Sequence, residues 1–141
     1  MLMNLDNYLL LIVKIMIPFL LGSLIFFSTV VAPNTFQNLD KKNSRKFIRS
    51  IFPKLYLWSI FISLVIFLCL IKLNVFYSFL FFIILLGYVY SKTFLIKRIN
   101  KVGDKNLMKE TEKKEFENLH RLSVFIFLLQ IILMLSIYFL I

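Results

Sequence analysis

The sequence predicts an all-α integral membrane protein: one domain over residues 1–141, folded as a four-helix bundle. Three observations carry this. Four apolar runs are each long enough to cross a bilayer. The 141 residues are 60% hydrophobic with a mean hydropathy of +0.87, more apolar surface than so short a chain can bury within itself. Finally, Lys and Arg are concentrated between particular runs. A soluble globular enzyme and a disordered chain are both excluded by this composition.

The spans are taken in order as about 8–32, 52–71, 75–96 and 119–141. Each is about 20 residues or more, the length that covers ~30 Å of hydrocarbon at 1.5 Å per residue. None alternates strictly between polar and apolar, so a membrane β-barrel is disfavoured, and a continuous apolar run in lipid satisfies its backbone as a helix. The first run is read as a retained span and not a cleaved signal. No Lys or Arg precedes it, it outlasts an h-region, and it ends Val30-Val31-Ala32-Pro33 without a small-x-small site. In the connection 33–51, Asn43-Ser44 is expected to cap a short interfacial helix from Arg45 to Phe52, with Pro53 then in the first turn of span 2. Tyr56, Trp58, Tyr88 and Tyr90 are expected as interfacial aromatics. A turn over Lys72–Asn74 joins spans 2 and 3. In the connection 97–118, Gly103-Asp104 marks a turn. From Met108 the chain favours helix, with a Glu110–Lys114 pair, so the fourth helix is expected to begin before the membrane.

Six Lys and Arg lie between or flanking spans 1 and 2, and nine lie between or flanking spans 3 and 4. Of the seventeen in the chain, only Lys14 and Lys72 lie elsewhere. The positive-inside rule places both basic connections in the cytoplasm, and an even number of spans then puts both termini outside. The Leu, Ile, Phe, Lys and Asn bias resembles that of AT-rich bacterial genomes, so the expected location is the bacterial cytoplasmic (inner) membrane. The net charge of +10 is read as topogenic and as attraction to anionic headgroups. The expected partners are therefore the anionic bilayer and either a second copy of the chain or another membrane protein. Nucleic acid is not expected, because no recognition motif accompanies the charge.

Polar residues at membrane depth are costly and therefore worth locating. Lys14 lies about six residues into span 1, ~9 Å deep, where its stem can snorkel to the outer interface or its ammonium can touch a substrate or ion. Pro18 and Gly22 suit a kink with close helix approach. In span 4, His120, Ser123, Phe127, Gln130 and Met134 share one face. Gln130 and Ser123 are read either as interhelical hydrogen bonds or as ligand contacts. No Asp or Glu falls within a span, and no phosphate loop or nucleophile–base set is present. One Cys and one His exclude an intrachain disulfide and a His pair.

The order Ala32-Pro33-Asn34-Thr35-Phe36, then Ile51-Phe52-Pro53, then Lys97-Arg98, then Phe116-Glu117-Asn118-Leu119-His120-Arg121-Leu122-Ser123 and Gln130 resembles the transmembrane protein 205-like family. This is a four-helix membrane domain of unknown function common in bacteria, whose human relative is linked to drug resistance and secretory trafficking. The resemblance covers nearly the whole chain and implies that Pro33, Phe36, Phe116, His120 and Ser123 are the residues to watch. It implies no enzymatic reaction.

Two function classes follow. The favoured one is a non-enzymatic multi-pass protein without cofactor, either a small-solute permeation or resistance factor or a membrane scaffold. The alternative is a haem- or metal-dependent membrane oxidoreductase of the protoporphyrinogen oxidase or copper-resistance type, in which His120 would need Met134, Cys69 or a symmetry-related His as partner. The expected site is a polar cleft in which His120, Ser123 and Gln130 face Ser28, Thr29 and Pro33, open to the cytoplasm. Arg98 and Arg121 would make its rim cationic and favour anionic or headgroup-like ligands. The competing expectation is a solid bundle in which the same residues bond one another.

Overall fold

The computed structural model describes residues 4–104 and 109–141; Met108, from which helix was expected, lies outside them. It is all-α, with four helices long and apolar enough to cross a membrane: α1 Leu5–Asn38, α2 Lys41–Leu73, α3 Val75–Gly103 and α4 Glu110–Leu140. Neighbours are antiparallel. Tyr77, opening α3, donates its hydroxyl to the Leu140 carbonyl that closes α4 (3.2 Å), while Arg98 near the end of α3 pairs with Glu115 near the start of α4. The Phe19–Trp58 and Phe27–Phe52 edge contacts, 5.8 and 5.1 Å between ring centres, join α1 to α2 in the same opposed sense.

Local chemistry sets the helix ends. Asp40 caps α2 by accepting from the Lys42 amide (3.2 Å). A capping helix start at Asn43-Ser44 is therefore corrected. So is the separate helix from Arg45 to Phe52, because α2 runs unbroken through Pro53. Asn74 ends α2 and caps α3, accepting from the Tyr77 amide (3.1 Å), so one residue makes the reversal. At the start of α4 the Glu112 carboxylate accepts from the Lys109 amide (3.1 Å).

Pro33 does not end the first helix. A π-helical turn at Phe27–Val31 precedes it, in which the Ala32 amide bonds the Phe27 carbonyl five residues back. Pro33 then occupies the first turn of a closing α-helical segment, where its missing N–H is tolerated. A second π turn, Ser91–Leu95, lies within α3.

The core follows helical periodicity: Val13, Ile17, Leu20, Leu21 and Leu24 on α1, and Tyr56, Ser59, Ile62, Ser63, Ile66, Cys69 and Leu70 on α2. On α3 it is Ser78, Phe81, Ile84 and Tyr88, and on α4 Gln130, Met134 and Ile137. Serines on these faces allow close helix approach. The outward faces carry exposed Ile15, Phe61, Phe79, Phe125 and Ile132, as a bundle surrounded by hydrocarbon requires. Tyr56 and Tyr88 are buried among the helices and do not face outward as interfacial aromatics do, whereas Trp58 and Tyr90 are exposed. The buried phenols carry a polar tip that finds a place inside: the Tyr88 hydroxyl donates to the Met134 sulfur at 4.0 Å. Gly22 also corrects its reading, since nothing lies within 4 Å of where its Cβ would stand.

Candidate functional site: a cavity at the basic end of the bundle

At the end that carries both longer connections, the four helices form a half-open cavity of about 640 Å³. Two tiers of side chains form it. Leu24, Phe27, Phe52, Leu55, Leu95 and Phe127 make an apolar floor, while Lys41, Arg45, Arg49 and His120 line the upper wall. Each tier follows from helical spacing. Lys41, Arg45, Arg49 and Phe52 advance along α2 by four, four and three residues, so one stripe of a continuous helix passes from cation to aromatic. His120, Ser123 and Phe127, three and four residues apart, share one face of α4 in the same way. Both π turns border the space, contributing Phe27, Ser28 and Leu95; π turns recur at functional sites.

The walls are fixed by specific polar contacts. Arg49 pairs with Asp104 and donates to the Asn100 carbonyl (3.4 Å), joining α2 to the end of α3. Gly103 is buried, and a Cβ there would lie 3.3 Å from Phe116 Cε2, so the glycine lets the α4 ring close against α3. Phe116 and His120 stack with planes 3° apart and centres 6.5 Å apart. The Ser123 hydroxyl donates to the His120 carbonyl (2.8 Å), and the Ser28 hydroxyl donates to the Leu24 carbonyl (3.0 Å).

The structure thus brings Ser28, Phe36, Phe116, His120 and Ser123 to one cavity and leaves the other sequence candidates elsewhere. Thr29 is exposed and bonds the Ile25 carbonyl (2.7 Å). Pro33 is half-buried and does not line the space. Gln130 is a helix lock deeper in the bundle: its amide donates to the Ile84 carbonyl (3.0 Å) in the notch left by Gly87. Arg98 is held by Glu115 (2.9 Å), and Arg121 is exposed away from the lining. The expected Glu110–Lys114 pair is not formed among the described residues. Lys14 sits on the exposed side of α1, ten residues before Leu24 and so ~15 Å along the axis. The cations that do line the cavity, Lys41, Arg45 and Arg49, were assigned by sequence to topology alone. The signal for their role was Asp40 as a helix cap, which puts them in register with Phe52.

For a metal or haem, the described residues hold no group of three or more His, Cys, Asp or Glu. Met134 lies fourteen residues beyond His120 on the same helix, ~21 Å along it, and Cys69 lies near the opposite end of the bundle beside Leu5 and Lys72. Neither reaches His120 within one chain.

A family model described as a domain of unknown function, DUF4149, matches residues 15–106, which covers most of α1, all of α2 and all of α3. The Phe116–Ser123 motif on α4 lies outside that match. No curated protein and no solved structure matches the chain.

Proposed function

The chain belongs to the DUF4149 family, and from that premise we propose that it is a non-enzymatic, cofactor-free ligand-binding protein of the bacterial inner membrane, akin to the transmembrane protein 205-like proteins. Its basic connections lie in the cytoplasm and both termini lie outside. Its ligand is a small molecule with an apolar body held in the cavity at the cytoplasmic end, as a permeation or resistance factor requires and a pure scaffold does not.

The observation that carries this reading is the cavity of about 640 Å³ with an apolar floor. Helical interiors are close-packed and voids larger than a water molecule are few, whereas a volume of ~300–1,000 Å³ is typical of small-molecule sites. Below the cavity the bundle is filled by Ile17, Leu20, Ile66, Phe81 and Met134, all fully buried, which favours holding a ligand at one end over an open channel. The test is native mass spectrometry of protein extracted in mild detergent. A retained small molecule, displaced in Ser123→Trp where the indole would occupy the cavity, supports the reading. A ligand-free mass for both proteins removes it. An absorption spectrum from the same sample with a Soret band that His120→Ala abolishes would favour the haem alternative instead.

A further inference from the structure

The charge on the cavity wall is one-sided. Among the described residues, the charged side chains that line it are all basic: Lys41, Arg45 and Arg49. Arg49 is committed to Asp104 and the Asn100 carbonyl. Lys41 and Arg45, one turn apart on α2, have no ion-pair partner among the described residues. Both are exposed where they stand at the upper wall, above Phe52 and Leu55 on the same helix.

We propose that the ligand is an anionic single-chain amphiphile. Its carboxylate or phosphate head pairs with Lys41 and Arg45, and its chain lies along Phe27, Phe52, Leu55 and Phe127. This rests on the reading of the cavity as a ligand site and adds the class of ligand. Three arguments converge on it. An arginine and a lysine on one helical face offer several donors to a small anion, and charge-assisted hydrogen bonds are the strong ones. The apolar floor cannot receive the charged head without a large desolvation cost, so the head stays at the cations and sets the orientation of the chain. The volume is that of a drug-sized ligand, which suits one acyl chain and not the two of a bilayer phospholipid.

The test uses the full chain in phosphatidylcholine nanodiscs with three probes that share one diazirine-bearing acyl chain: a fatty acid, a lysophosphatidate and a lysophosphatidylcholine. Crosslinked residues are mapped by mass spectrometry. The two anionic probes should label Leu55 and Phe127 about ten-fold more than the zwitterionic probe, the size of one charge-assisted hydrogen bond. Lys41→Gln with Arg45→Gln should bring all three to the lower level, and Arg45→Lys should restore part of the difference. Because both side chains are exposed and unpaired, the double variant keeps its thermal midpoint. Equal labelling of the cavity by all three probes, or labelling indifferent to the double variant, overturns the charge assignment and leaves the cavity a ligand site. Millimolar inorganic phosphate displacing the lysophosphatidate as completely as the unlabelled lipid does would overturn the amphiphile in favour of a headgroup-only site. Labelling confined to outward residues such as Phe61 and Phe79 would overturn both this inference and the reading beneath it.

Discussion

A buried amide in an apolar bundle has to find a partner, and Gln130 finds one in the Ile84 carbonyl because Gly87 leaves the space for it. A Cβ at position 87 would stand 2.6 Å from Gln130 Nε2, so the amide would have to leave its acceptor. Gly87→Ala should therefore cost about 0.5–2 kcal/mol, the range of one interhelical hydrogen bond in a membrane protein. In a Gln130→Ala background the same change should be neutral, or stabilising by up to about 1 kcal/mol through helix propensity. A double-mutant cycle on thermal midpoints reads the coupling, and additive effects would show that the amide and the notch are independent. Arg49 tests a different kind of contact. Its side chain is 29% exposed and Asp104 56%, so solvent screens the pair and Arg49→Ala should cost under about 1 kcal/mol. Arg49→Lys should behave like the alanine variant, because a single ammonium cannot reproduce the fork that meets Asp104 and the Asn100 carbonyl together. Recovery of wild-type stability by lysine would mean that charge alone suffices.

At the scale of elements, all four helices run further at the cavity end than their apolar spans required, and that extension makes the cavity. If α2 is one helix from Lys41 to Leu73, hydrogen exchange in nanodiscs should show slow amides continuously from about Phe47 to Leu70. A fast break at Phe52–Lys54 would restore the two-helix description and detach Lys41 and Arg45 from Phe52. The four-helix architecture was legible in the sequence because burial in lipid demands long apolar runs, and those are visible one residue at a time. The cavity was legible in part. His120, Ser123 and Phe127 share a face whatever surrounds them, and Ser28 lies near the end of its span. What periodicity could not give was the fate of the prolines. Pro33 and Pro53 both read as helix boundaries, yet one follows a π turn that absorbs the change and the other sits within a continuous α2. Gln130 makes the interhelical hydrogen bond that was one of its two readings, with Ile84 of α3 and not in the cleft with α1. A polar residue on an inward face has several available partners, and only the position of Gly87 on another helix selects among them.

At the scale of the molecule, the orientation decides which leaflet and which compartment the cavity serves. The end bearing Lys41, Arg45, Arg49 and Arg98 is the end where α1 passes to α2 and α3 approaches α4, while the opposite end offers Lys72 beside the Asn74 reversal. Short basic connections resist translocation, so the cavity should open to the cytoplasm. Single cysteines test this directly. Cys69 is buried, so in a Cys69→Ala background an impermeant maleimide reports only the introduced thiol. Asn38 ends α1 and is exposed at the cavity end; Val75 opens α3 and is 78% exposed at the other. Val75→Cys should react in intact spheroplasts and Asn38→Cys only after the membrane is permeabilised. The reverse pattern would put Lys41 and Arg45 on the outer side. An anionic amphiphile would then have to arrive from outside the cell, so the same labelling experiment fixes both the topology and the side from which the cavity is filled.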